Sequence, residues 1–246
     1  MKVHAKHSLR LFETLNASYF YLNPKEFVEF FVFTFLELNS RFLIQPYFRP
    51  IDTTWTRRLN LDKNKCFVCE CERCSDPAEL GAHSSSILCF DSREGGKACD
   101  GVMMPLDTLN MRTDWRCDKC DKKVTADQVK VMMRELEREA EGFRKDDVNR
   151  LKSLIKFYST RLHRNHTLLV ELKQFLVSAL GRVPGHTMEE LGDADLRLKL
   201  LLCQQLLSVL DLVSPGLSLG RGLILFELHS VLVMIANTEY ASNYDT

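Results

Sequence analysis

Eight of the nine cysteines of this 246-residue chain fall between positions 66 and 120. Such a cluster limits the fold, because the turn-rich stretch around it (Ser75, Asp76, Pro77, Gly81, Gly95, Gly96, Gly101, Pro105) has little apolar surface to hold a core and needs a staple. In KCFVCECERCSDPAELG, Cys66, Cys69, Cys71 and Cys74 read C-x2-C-x-C-x2-C. Four thiolates suffice for a closed tetrahedral zinc site. This stretch therefore either binds its own ion or forms one side of a site completed elsewhere. Cys89, Cys99, Cys117 and Cys120 make a second candidate set, a wide C-x9-C arm followed by C-x2-C. Two such arms predict a ribbon around one zinc, with Trp115 as a covering aromatic. Disulfides belong to small secreted domains. MKVHAKHSLRLFETLN has neither an apolar core nor a small-residue cleavage site, so no secretory signal is read there. Metal binding in a reducing compartment, nucleus or cytoplasm, is the expectation.

The formal net charge is +0, which leaves no basic footprint for nucleic acid. Residues 1–46 hold eight phenylalanines between positions 12 and 42 but no recognisable domain. The sequon at Asn16 has no meaning without a secretory route. The apolar run FVEFFVFTFLELNSRFLI is interrupted by Glu29, Glu37 and Arg41 and is too short to cross a bilayer, so it reads as a buried segment. From Thr125 onward the pattern is helical. TADQ offers a capping box with Thr125 as N-cap and Gln128 three residues later. Apolar residues then recur at helical spacing over 129–143, 148–162 and 168–179, the last stopping at Gly181. A second box, Thr187 with Glu190, precedes LRLKLLLCQQLLSVLDLV, where Cys203 reads as a core residue. After SPG, GRGLILFELHSVLVMIA supplies a fifth helix. Five helices with short loops predict antiparallel hairpins stacked in the manner of tetratricopeptide arrays, though that consensus is absent. His163 and His166 in LHRNH are expected to cap or bridge a helix turn. The expected fold is mainly α: a small cysteine-rich zinc segment followed by a helical-hairpin domain over 125–246.

A longer pattern surrounds the first cysteines. RRLNLDKNKCFVCECERCSDPAELG, residues 57–81, resembles the end of the SET domain and the post-SET segment of SET-and-MYND lysine methyltransferases, above all their insect SmydA branch. The usual pattern there is R-R-x-x-L-x-x-x-K-x-F-x-C-x-C-x-R-C-x-D-P-T-E-x-G, with Ala78 replacing the threonine here. LDTLNMRTDWRCDKC, LHRNHTLLVELKQFL and SPGLSLGRGLILFELH resemble later stretches of that branch less tightly. The resemblance makes 47–64 a degenerate end of a SET domain and 65–124 a post-SET zinc segment. It also makes Cys69, Cys71 and Cys74 three post-SET ligands. The family's fourth ligand is a cysteine in an N-H-x-C segment that also binds S-adenosylmethionine; residues 1–65 contain no cysteine, and the G-E-E strand is not recognisable. Tyr47 alone stands at the spacing of the SET tyrosine. Cys66 is then either a substitute fourth ligand or a bystander, and a bystander is expected because Phe67-Val68 disfavours a tight turn. Phe67 occupies the family position beside the adenine of S-adenosylmethionine; without the N-H-x-C segment it is expected as a core phenylalanine. Complete relatives transfer a methyl group from S-adenosylmethionine to a protein lysine. This chain is expected to be inactive as it stands, with a protein substrate or partner docking through its helices. The alternative is a non-catalytic zinc and helical-repeat interaction module.

Overall fold

The computed structural model describes residues 49–90, 99–120 and 122–244, all within the unit Pro46–Thr246. The expectations for residues 1–46, for Tyr47 and for Gly95 and Gly96 lie outside the described residues. Seven helices and four short strands make up the described part, which is about half helical.

Helix α1 (Thr54–Lys65) starts at Thr53, whose hydroxyl accepts from the Thr56 N–H. It stops at Cys66, which takes a left-handed conformation with φ 58°. A single turn, α2 (Glu72–Ser75), carries Cys74. Strands β1 (Ile87–Leu88), β2 (Val102–Pro105), β3 (Trp115–Cys117) and β4 (Lys123–Val124) form an antiparallel sheet in the order β1-β2-β3-β4. The register pairs Ile87 with Met103, Met103 with Cys117 and Trp115 with Val124. The sheet thus joins the two cysteine arms edge to edge.

Helix α3 (Ala126–Glu139) opens with the anticipated box: Gln128 N–H donates to Thr125 Oγ1 and Thr125 N–H donates to Gln128 Oε1. The box satisfies two donors at the helix start. Helices α4 (Val148–Tyr158), α5 (Thr167–Ala179), α6 (Asp193–Val213) and α7 (Leu219–Tyr244) follow, each packed on the next. Gly181 follows the α5 C-cap with φ +103°, and a Cβ there would meet Met188 Sδ at 2.6 Å. Only glycine fits both the backbone and the space. Thr187 does not cap α6, contrary to expectation. Its N–H and hydroxyl do meet Glu190 Oε2, each at 2.9 Å, but they close a separate turn, and α6 starts after Gly192.

The sheet and the helices share one core. Ile87 and Met103 belong to the same buried cluster as Leu136, Leu151, Leu169, Leu206 and Val231. Cys203 is fully buried in it, as expected, and burial pushes its thiol up to about 12. By length and composition alone, Leu219–Thr238 of α7 is apolar enough to cross a membrane, with mean hydropathy 1.7. In its middle, however, Glu227 is buried against Lys199 Nζ at 2.7 Å and also pairs with Arg182. One face of the stretch thus packs on α6, while only 22% of it is buried.

His166 is the N-cap of α5, its Nδ1 accepting from the Leu168 N–H at 3.2 Å. His163 accepts from the Asn165 N–H in the same turn. Burial, followed by the neighbouring His163, pushes the His166 pKa down to about 3. Above the unfolded value of about 6.5 the ring is neutral in both states and no penalty exists. Below it the unfolded chain takes up a proton that folded His166 refuses, so stability falls by about 1.4 kcal/mol per pH unit, or about 2 kcal/mol by pH 5. His166→Asn keeps a capping oxygen and removes the titration. Its melting temperature is expected to fall less steeply than the parent's between pH 6.5 and pH 5; parallel curves would show that His166 does not titrate with unfolding.

Candidate metal centres

Four sulfurs converge at one end of the sheet. Cys89 follows β1, Cys99 precedes β2, Cys117 ends β3, and Cys120 lies in the turn before β4. Their Sγ atoms all lie within 4.8 Å of one another. Cys89 and Cys120 are 3.6 Å apart, and Cys99 and Cys117 are 3.8 Å apart. A tetrahedron of thiolates at 2.3 Å from a central zinc has edges of about 3.8 Å. The donor set therefore fits a four-thiolate metal ion, two of its edges already at that length.

Backbone donors complete the arms. Gly101 N–H donates to Cys99 Sγ and Lys119 N–H to Cys117 Sγ, each at 3.4 Å. The turn after Cys117 is locked by Val102 N–H donating to Asp118 Oδ1 at 2.7 Å, and by Cys117 N–H donating to Lys122 O at 3.0 Å. Gly101 is needed for close approach: a Cβ there would collide with Cys117 Sγ and come within 2.8 Å of Asp118 Oδ1. Trp115 is expected to cover this cluster. It packs against the core and also lines a cavity of about 470 Å³ with Trp55, Met111, Met133 and His166, between α1, the β2–β3 loop and α3.

The first group forms a triplet rather than a quartet. Cys69, Cys71 and Cys74 have sulfurs within 4.8 Å of one another, and Cys66 is not among them. The left-handed turn at Cys66 ends α1 and leaves the residue exposed. Three sulfurs fit three corners of a tetrahedral site. Burial raises the Cys74 thiol to about 11, opposed by a hydrogen bond from Arg57. Burial also works against ionisation of Cys71, but the Cys74 N–H and neighbouring groups outweigh it and its pKa is lowered. Metal binding must displace the remaining protons. Phe67, expected in the core, is instead 46% exposed, because the chain leaves α1 at Cys66 and turns it outward.

Residue spacing gives no sign of the buried polar frame beside the triplet. Arg57 is 1% exposed; its Nη1 donates to Asp52 O at 2.5 Å and its Nη2 to Thr54 Oγ1 at 2.8 Å and to Cys74 Sγ at 3.7 Å. Glu79 is 2% exposed and accepts from the Thr54 N–H and hydroxyl and from the Ser85 N–H and hydroxyl. Both residues belong to the 57–81 pattern, the one signal that singles them out.

No family model matches the chain. Two curated Drosophila melanogaster proteins are similar to it. SET domain-containing protein SmydA-8, isoform B, is 37% identical over 75 residues, 30% of this chain and 16% of the relative. Isoform A is 39% identical over 66 residues, 27% of this chain and 13% of the relative. The chain is a relative of the SmydA-type SET-domain proteins. The similarity thus spans less than a fifth of either SmydA-8 isoform.

Proposed function

We propose that this chain corresponds to the post-SET and C-terminal part of an S-adenosylmethionine-dependent protein-lysine methyltransferase, with zinc as the metal of both cysteine clusters. The observation that carries this reading is the pair of clusters within a chain related to SmydA proteins: three sulfurs and four sulfurs, each set within 4.8 Å. None of the nine cysteines forms a disulfide, which suits the nucleus or cytoplasm. Zinc at the quartet, Cys89, Cys99, Cys117 and Cys120, would tie β1 and β2 to the β3–β4 turn. Zinc at the triplet, Cys69, Cys71 and Cys74, would tie the exit of α1 to α2. Both are structural roles, in which the ion supplies folding energy. Helices α4 to α7 form tetratricopeptide-like hairpins that dock a protein substrate or partner; nucleic acid and membrane are not proposed partners.

Methyl transfer to a lysine depends on aligning amine and methyl group in line. In the family this alignment is the work of the SET core, with N-H-x-C holding the cofactor. Neither N-H-x-C nor G-E-E is recognisable before Cys66, and Phe67 is turned outward. On this reading residues 49–244 by themselves form the zinc-stapled helical part of such an enzyme and do not bind the cofactor; the alternative is a non-catalytic zinc and helical-repeat interaction module. Isothermal titration of the purified chain with S-adenosylmethionine is expected to give no heat of binding. Micromolar affinity would overturn the non-catalytic reading and restore Phe67 as a cofactor contact.

A further inference from the structure

Both tryptophans of the chain line the cavity of about 470 Å³ between α1, the β2–β3 loop and α3. Trp55 comes from the first turn of α1 and is 37% exposed; Trp115 comes from β3, where it pairs with Pro105 and Val124. Met111 from the loop and Met133 from α3 add polarisable apolar wall. The walls hold one another. Arg58 of α1 donates from Nη1 to Thr108 O in the loop at 3.0 Å. The loop closes on itself through Asp107 N–H donating to Thr113 Oγ1 and Leu106 N–H donating to Asp114 O. The cavity is thus built by the fold, and its volume lies in the range of small-molecule sites, about 300–1,000 Å³.

The buried polar groups of its wall are engaged, with one exception. Glu79 accepts from the donors of Thr54 and Ser85 and faces Arg57 at 3.5 Å, so the buried charge in the wall is already matched. An ionised ligand would find no partner beside it and would be costly to bury. His166 is the exception. It is 2% exposed and lines the cavity. Its Nδ1 accepts from the Leu168 N–H, so the proton of the ring sits on Nε2. That N–H has no acceptor among the described residues. Buried donors are ordinarily paired, and this one is left for a ligand atom. We propose that the cavity is a binding site for an uncharged, largely aromatic small molecule, held against Trp55 and Trp115 and accepting a hydrogen bond from His166 Nε2. The site uses none of the cysteines and stands apart from the metal reading of either cluster.

The test uses the full chain, purified with zinc and isotope-labelled, and two probes of equal shape that are uncharged at neutral pH. Quinoline has a ring nitrogen that accepts a hydrogen bond; naphthalene has none. The two tryptophans give two indole N–H signals in a nitrogen–proton correlation spectrum, assigned with Trp55→Phe and Trp115→Phe. Quinoline is expected to shift both signals saturably, with a dissociation constant of roughly 0.1–1 mM for a ligand of about ten heavy atoms. Trp55→Ala, at a partly exposed position, should weaken both probes by roughly 3- to 10-fold. His166→Ser keeps an N-cap oxygen and removes the ring donor. In that variant the affinity for quinoline relative to naphthalene should fall by about 5- to 10-fold, a ratio that cancels any general change in cavity shape. His166→Asn also keeps the cap and supplies the same ratio should the serine variant not fold. If quinoline leaves both indole signals in place, the cavity takes no such ligand and the proposal falls. It falls too if Trp55→Ala binds both probes like the parent, because they then lie elsewhere, or if the ratio is unchanged without the His166 ring. Indole signals that move on dilution with no probe added would put a second copy of the chain in the cavity and overturn it as well.

Discussion

Cys117→Ser is expected to strip the metal from the quartet and unfold the sheet it staples, while Cys66→Ser leaves metal content unchanged. The strands are two to four residues long, and their buried apolar side chains are few, chiefly Ile87, Met103 and Val124. Strands that short do not hold together alone. Structural zinc contributes roughly 10–16 kcal/mol in small thiolate modules, far more than this sheet buries. A four-thiolate site is closed, so loss of one ligand removes the clip rather than tuning it. The triplet offers three ligands, and its ion should leave first under chelation. After mild chelation we expect one retained zinc per parent chain, none in Cys117→Ser and one in Cys66→Ser. The far-UV helical signal from α4 to α7 should largely survive in Cys117→Ser, because those helices carry their own apolar contacts. If Cys66→Ser loses the retained ion instead, the opening four-cysteine stretch is a self-sufficient site. If Cys117→Ser keeps it, the quartet is not the tight site.

The helices were legible because their signals are local. Thr125 with Gln128 caps α3, Gly181 ends α5, and the apolar spacing between them repeats at helical period. Boundaries were less so: Phe143 and Leu162 continue the period past Glu139 and Tyr158, where the helices stop. Thr187 and Glu190 carry the chemistry of a cap, yet Gly192 intervenes and the bonds close a turn. The sheet could not be read from alternation, since Ile87–Leu88 and Lys123–Val124 are too short to alternate. The quartet was legible from ligand count despite the wide gap between Cys89 and Cys99. The placement of Cys66 and Phe67 was not, because a left-handed turn at a non-glycine residue has no composition signal. Least legible were the buried ions. Arg57 and Glu79 are marked by the 57–81 pattern alone, and nothing in the spacing of Lys199 and Glu227 says that the two meet until the packing around them is known.

That last group carries the second large effect. Lys199 is 1% exposed; its Nζ meets Glu227 Oε2 at 2.7 Å and donates to Leu180 O at 2.6 Å. The pair joins the C-terminal end of α5 and the first thirds of α6 and α7 at one point, and Arg182 supplies Glu227 with a second cation. Removing one member of a buried pair leaves its partner dehydrated and uncompensated, at a cost of about 3–5 kcal/mol. Lys199→Met is expected to approach the lower end, since Arg182 still faces Glu227. Glu227→Gln should approach the upper end, because it leaves Lys199 with the Leu180 carbonyl and brings Arg182 beside it without a carboxylate. For a chain of this size that corresponds to a fall in melting temperature of roughly 10 °C. The double variant removes both buried charges, so its loss should be smaller than the sum of the two single losses. Thermal denaturation of the four proteins at neutral pH checks this. Strict additivity would mean that Lys199 and Glu227 do not stabilise one another, and that the contact between α6 and α7 rests on its apolar residues alone.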